Sequence, residues 1–306
     1  MVKIMSTTFG TILDDMKTSA KLAWKSMLSY FLAGLGMLIV MVILAGIIAI
    51  PVLLVVLAFP GLFTEATMTA LTNWAVANPL LFGGIGILIL IPIISLFLVV
   101  SGSIYGMSHD LVTKGETKAE LAFSYLRHKF LSFAGTGAVL TIIVAVPPVV
   151  VWGLTSYAMG YAITAPIAYV LTAFTFVWVY LTAGLTSMVW PAVASGKGVQ
   201  DAFKESFSLS RQYFDRVYGV LTAIVLLLAA TFGPLIIAVL AMIPFVPPVT
   251  LAVFPALVGV AIYTVIMVFL WLLLFLPMVR IAWVKVYQEL TGGEVATQSV
   301  VDMPIV

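Results

Sequence analysis

The chain has 306 residues, of which 63% are hydrophobic and 8% charged; its mean hydropathy is +1.23 and its formal net charge +2. A soluble domain carries about 25% charged residues, so this chain lacks the groups to cover a water-facing surface and must meet lipid instead. The small net charge gives no reason to expect nucleic acid. The absence of cysteine excludes disulfides and thiolate chemistry, and two histidines, His109 and His128, are too few for a multi-histidine metal site. No cofactor or metal is therefore expected.

From the N-terminus, Phe9, Ile12, Leu13, Met16, Ala20, Trp24, Met27 and Phe31 recur at steps of three and four residues. Asp14, Asp15, Lys17, Lys21 and Lys25 fall mainly on the other face. This pattern predicts an amphipathic surface helix, apolar side toward the membrane and charged side in water. The first apolar run starts near Tyr30, too far in and too long for a cleavable signal.

Apolar runs at 29–59, 79–106, 131–157, 161–195, 217–243 and 249–279 predict six spans, since a span needs about 20 apolar residues. Pro51, Pro92, Pro191, Pro234, Pro255 and Pro277 lie in or beside them and predict kinks. Every Lys and Arg lies before span one, between spans two and three, between spans four and five, or after span six. Basic residues stay on the cytoplasmic side during insertion, so the expected location is the cell membrane, multi-pass, with both termini cytoplasmic. The outer connectors, Pro60 to Pro79, Pro147-Pro148 to Pro166 and Pro244 to Pro255, carry a single charge, Glu65. The first of these contains Trp74 and suits an interfacial helix.

Two further amphipathic segments precede spans three and five. In 116–130, Ala122, Tyr125 or Leu126, and Phe130 oppose Glu120, Arg127 and His128. In 199–215, Val199, Phe203, Phe207, Ser210 and Phe214 oppose Asp201, Lys204, Glu205, Ser208, Arg211, Gln212 and Asp215. The pairs Trp24 and Phe31, Phe123 and Phe130, and Phe207 and Phe214 share one spacing and are expected to anchor their segments at the membrane surface. The expected fold is all-α: one integral membrane domain over 1–306, a polytopic bundle of about six spans. It is read as a three-fold repeat (8–113, 114–196 and 197–290) of surface helix plus helical hairpin, with 291–306 a loosely ordered tail.

Residues 202–211, Ala-Phe-Lys-Glu-Ser-Phe-Ser-Leu-Ser-Arg, followed by a long span, resemble poorly characterised bacterial and archaeal six-helix membrane families. One of these is the membrane domain attached to some glycerophosphodiester phosphodiesterases. The resemblance implies the helical layout and transfers no catalytic residue, because the hydrolase part of such fusions has no counterpart here.

The centres of the six runs hold no Asp, Glu, Lys, Arg or His. Ion-coupled transporters, voltage sensors and intramembrane proteases mark themselves with such groups, so these classes are disfavoured. His109 and Asp110 are expected to mark the exit of span two with their side chains about 100° apart. Arg280 is expected to reach the headgroups, and Asp215 and Arg216 to mark the entry of span five. Thr172, Thr175, Thr182 and Thr186 form one polar stripe on span four, expected to serve helix packing, with a polar groove as the functional alternative. Gly102 to Gly106 forms a G-x-x-x-G that permits close helix contact.

Three functions follow in order. The first is a non-catalytic accessory or scaffold subunit that packs against a membrane protein partner or a second copy. The second is a lipid- or amphiphile-binding protein or uncoupled facilitator, with membrane lipids as partners. The third is a lipid enzyme at the cytoplasmic face using His109, Asp110 or His128.

Overall fold

The computed structural model describes residues 8–242, 254–293 and 295–296. Among them there is no strand, and six helices or joined helix pairs are long and apolar enough to cross a membrane. The chain is a multi-pass, all-α membrane protein. The connector at 243–253 and the expected tail at 297–306 lie outside the described residues.

Helix α1 (Phe9–Lys25) is capped by Thr8 and ends at Ser26, where α2 (Met27–Ala58) begins the first span. A short 3-10 turn (Pro60–Phe63) and α3 (Glu65–Ala77) form the connector between the first two spans, as Trp74 suggested. Helix α4 (Pro79–Lys114) is the second span. Helix α5 (Ala119–Leu140) breaks at Lys129 and continues through a π turn (Thr141–Ala145) into α6 (Val146–Ala158) as the third span. Helices α7 (Ala165–Thr186) and α8 (Val189–Ala194) form the fourth. Helix α9 (Val199–Gln212) leads into α10 (Phe214–Met242), the fifth. Helix α11 (Phe254–Leu270), a second π turn (Trp271–Phe275) and α12 (Leu276–Thr291) form the sixth.

Proline explains both π turns. Pro147 and Pro148 follow the first and Pro277 the second, and none of the three ring nitrogens can donate to the preceding turn. The Ile143 carbonyl therefore loses its α-helical donor at 147 and its π-helical donor at 148. Trp178 Nε1 donates to that oxygen at 3.0 Å instead. Pro147 and Pro148 thus sit within the third span, and the turn to the fourth comes later, at 159–164, where Gly160 and Tyr161 both take left-handed backbone.

The chain forms two compact units, one of residues 1–34, 105–121 and 208–306, the other of 35–104 and 122–207. In the first, α1 packs along α12 and α10. A Cβ on Gly219 of α10 would run into Ile12, so the glycine admits α1 closely. In the second, Gly137 of α5 lies against the Ser95 backbone of α4, and Ser95 Oγ donates to the Ala134 carbonyl. Small residues allow this close crossing, as they do generally where lipid supplies no hydrophobic drive for helix association. Gly102 has the same use against the Phe133 and Trp190 rings.

Candidate functional site

The first unit contains a feature that contradicts the expected water-facing side of α1. Asp15 is buried, with its side chain 2% exposed. Its neighbours on the inner face of α1 are Ser19, Leu22 and Ala23, while Phe9, Leu13 and Trp24 of the membrane-directed stripe are exposed. The physical reason is the solvent. An apolar stripe on a membrane helix is as comfortable against lipid as against protein, so it does not identify the inward face, and Asp15 alone of the helix's charges turns in to find partners while Asp14, Lys17, Lys21 and Lys25 stay exposed.

Those partners come from the C-terminal third of the sequence. Arg216 Nη2, in the first turn of α10, donates to Asp15 Oδ1 and Oδ2 at 3.2 and 2.9 Å. Lys285 Nζ of α12 donates to Asp15 Oδ1 at 2.8 Å. Glu289, one turn further along α12, accepts from Arg216 and lies 3.5 Å from Lys285 Nζ. Asp15, Arg216, Glu289 and Lys285 thus alternate in sign around a closed ring. Placing a single charge here would cost several kcal/mol, and only mutual pairing offsets that. The two carboxylates also compensate an Arg at the positive N-terminal end of α10, where a cation is unfavourable. Arg216, expected to mark the entry of span five as an interfacial charge, is instead buried, and so is Lys285. The sequence did carry a signal, for Lys285 sits between Val284 and Val286 in an otherwise apolar stretch.

Other charges are also paired. Asp110 is buried and meets Lys114 Nζ at 3.0 Å; His109 Nδ1 lies 3.7 Å from its Oδ1, so these neighbours approach each other although their Cβ atoms diverge. His128 Nδ1 donates to the Ser124 carbonyl at 2.8 Å on an exposed face. Arg280, expected among headgroups, is partly buried with Tyr30 and Tyr105 as electrostatic neighbours and makes no ion pair among the described residues. Among those residues no group of three or more His, Asp or Glu is placed to hold a metal ion.

The threonine stripe turns its hydroxyls onto its own helix. Thr172 donates to Ala168, Thr175 to Leu171, Thr182 to Trp178 and Thr186 to Thr182, at 2.7 to 2.8 Å. Thr175 also accepts from Trp152 Nε1 at 2.9 Å, joining α7 to α6. Among the expected anchors, Trp24, Phe31, Phe123 and Phe214 are exposed, and Phe130 and Phe207 partly buried. In α9, Ser206 accepts from the Met188 N–H at 3.2 Å and donates to the Leu185 carbonyl at 2.7 Å. It thereby satisfies the backbone where α7 gives way to α8. Lys129, at the break in α5, donates to the Val193 and Ala194 carbonyls at 3.0 and 2.7 Å, capping α8 with a cation.

The second unit also holds an open groove of about 720 Å³ between α3, α4 and α6, to which Tyr161 of the 159–164 turn adds a wall residue. Gly83, Gly84, Ile87, Val149 and Gly153 are among its walls, and Ser156, Tyr157 and Tyr161 bring hydroxyls to it. None of the four stripe threonines lines it. No family model matches this chain, and neither the curated proteins nor the solved structures contain a match to it.

Proposed function

We propose that this chain is a non-catalytic protein of the cell membrane, with both termini cytoplasmic, that acts by packing as an accessory or scaffold subunit against a membrane partner or a second copy. The ion ring carries the reading. A general acid or base works as a carboxylate or imidazole tuned and left accessible for substrate, whereas Asp15 and Glu289 are both committed to Arg216 and Lys285. The paired Asp110 and Glu205 and the self-bonded threonines support the same structural use of polar groups. Outside, α2 presents large apolar side chains on nearly every face from Leu38 to Leu57, a surface suited to lipid and to other spans.

The repeat reading belongs here too. Helix breaks at Ser26, Lys129 and Tyr213 each separate a short amphipathic helix from a span. The breaks immediately precede Phe130 and Phe214 but fall well before Phe31, so the first copy is in a different register from the other two.

Isolation from native membranes in polymer-bounded discs tests the function. A stoichiometric partner protein, or a self-dimer, is expected; a lone monomer in every preparation would overturn the accessory role. Orientation is tested with single cysteines in this cysteine-free chain. A membrane-impermeant maleimide should label Asn73→Cys in intact cells and leave Lys204→Cys unlabelled, and the reverse pattern would overturn it.

A further inference from the structure

We infer that the groove between α3, α4 and α6 binds one uncharged amphiphile, with its hydrocarbon chain along the helices and its hydrogen-bonding head at Tyr157 and Tyr161. The size is the first argument. About 720 Å³ falls within the roughly 300–1,000 Å³ of small-molecule sites. That volume accommodates one amphiphile-sized molecule between the three helices.

The walls are the second argument. A Cβ placed on Gly83, Gly84 or Gly153 would meet nothing within 4 Å. None of the three has positive φ, so neither close packing nor backbone conformation calls for glycine at these positions. Glycine weakens a helix interior relative to alanine, and what these residues provide in return is space along the groove.

The third argument is polarity. No charged residue lines the groove. A phosphate-bearing head placed there would lose water without gaining a counter-charge. The hydroxyls of Ser156, Tyr157 and Tyr161 have no hydrogen-bond partner among the described residues and can serve a neutral head. Tyr161 holds its position with φ of 67°, a conformation rare for a bulky residue. Backbone strain of this kind concentrates where a side chain must be aimed.

The experiment uses the full chain purified in detergent and incubated separately with vesicle-derived diacylglycerol, a short-chain isoprenoid quinone, and phosphatidylglycerol, with bound lipid counted by native mass spectrometry. About one equivalent of diacylglycerol or quinone is expected, at least tenfold in preference to phosphatidylglycerol, and the arm that binds identifies the head. Gly84→Leu and Gly153→Leu fill open space and should reduce retention at least tenfold while the unfolding temperature holds. Tyr157→Phe with Tyr161→Phe, which keeps shape and removes both hydroxyls, should weaken binding about tenfold. Preference for phosphatidylglycerol, retention of several lipids without selectivity, or undiminished binding by the folded variants would each overturn the site. The accessory role is read separately, from the partner protein in native preparations.

Discussion

Asp15 and Arg216 lie 201 residues apart in the chain, yet one guanidinium nitrogen of Arg216 contacts both carboxylate oxygens of Asp15, at 3.2 and 2.9 Å. With Lys285 and Glu289 they tie the N-terminal helix to the first turn of α10 and the last turns of α12. Asp15→Asn keeps the side chain's size but leaves two cations facing one carboxylate. Breaking one member of a buried set costs about 3–5 kcal/mol, and thermal unfolding in micelles should show a loss near the lower end, because Glu289 remains. Adding Lys285→Met should restore a large part of it. A loss under about 1 kcal/mol for Asp15→Asn would mean the ring behaves as exposed pairs do.

Trp178→Phe isolates a different interaction. The phenyl ring fills much of the same space but cannot donate to Ile143, whose oxygen both Pro147 and Pro148 have left without a helical donor. Leaving a buried acceptor unsatisfied costs about 1–3 kcal/mol. A denaturation midpoint unchanged from wild type would show that another donor takes over.

Ser206→Ala removes both hydrogen bonds at the α7–α8 junction, to Met188 N–H and Leu185 carbonyl. The expected destabilisation is about 1–3 kcal/mol. Ser208→Ala, two residues on and exposed, should stay within about 0.5 kcal/mol. Unfolding curves of the two variants side by side give the comparison, and equal behaviour would refute the role assigned to Ser206.

Two glycine replacements should move stability in opposite directions. At Gly102 a Cβ would lie 2.6 Å from the rings of both Phe133 and Trp190, which are too stiff to yield cheaply, so Gly102→Ala should destabilise by about 1–3 kcal/mol. At Gly84 the new methyl meets nothing, and Gly84→Ala should be neutral or stabilising by up to about 1 kcal/mol. The sign of each shift in unfolding temperature decides the matter.

Much of the fold was legible in the sequence. The six runs beginning near residues 29, 79, 131, 161, 217 and 249 correspond to the six spans, and Trp74 marked the connector that forms α3. The stripe on α9 also pointed correctly, with Phe203 and Ser210 buried and Asp201, Lys204 and Arg211 exposed. On α1 the pattern placed Asp14, Lys17, Lys21 and Lys25 correctly on an exposed side but put Asp15 with them, and the structure buries it. The ring was out of reach because its members lie on three helices at opposite ends of the chain, and pairing over such separations leaves no local pattern.

The sequence by itself determined that this chain spans a membrane and where, because transfer into hydrocarbon is a local property that accumulates along about 20 consecutive residues. Only the tertiary structure decided which faces turn inward, which charges neutralise one another and where a groove stays open. In an apolar solvent, hydrophobicity no longer separates inside from outside. The choice falls to hydrogen bonds, ion pairs and close packing between helices distant in sequence.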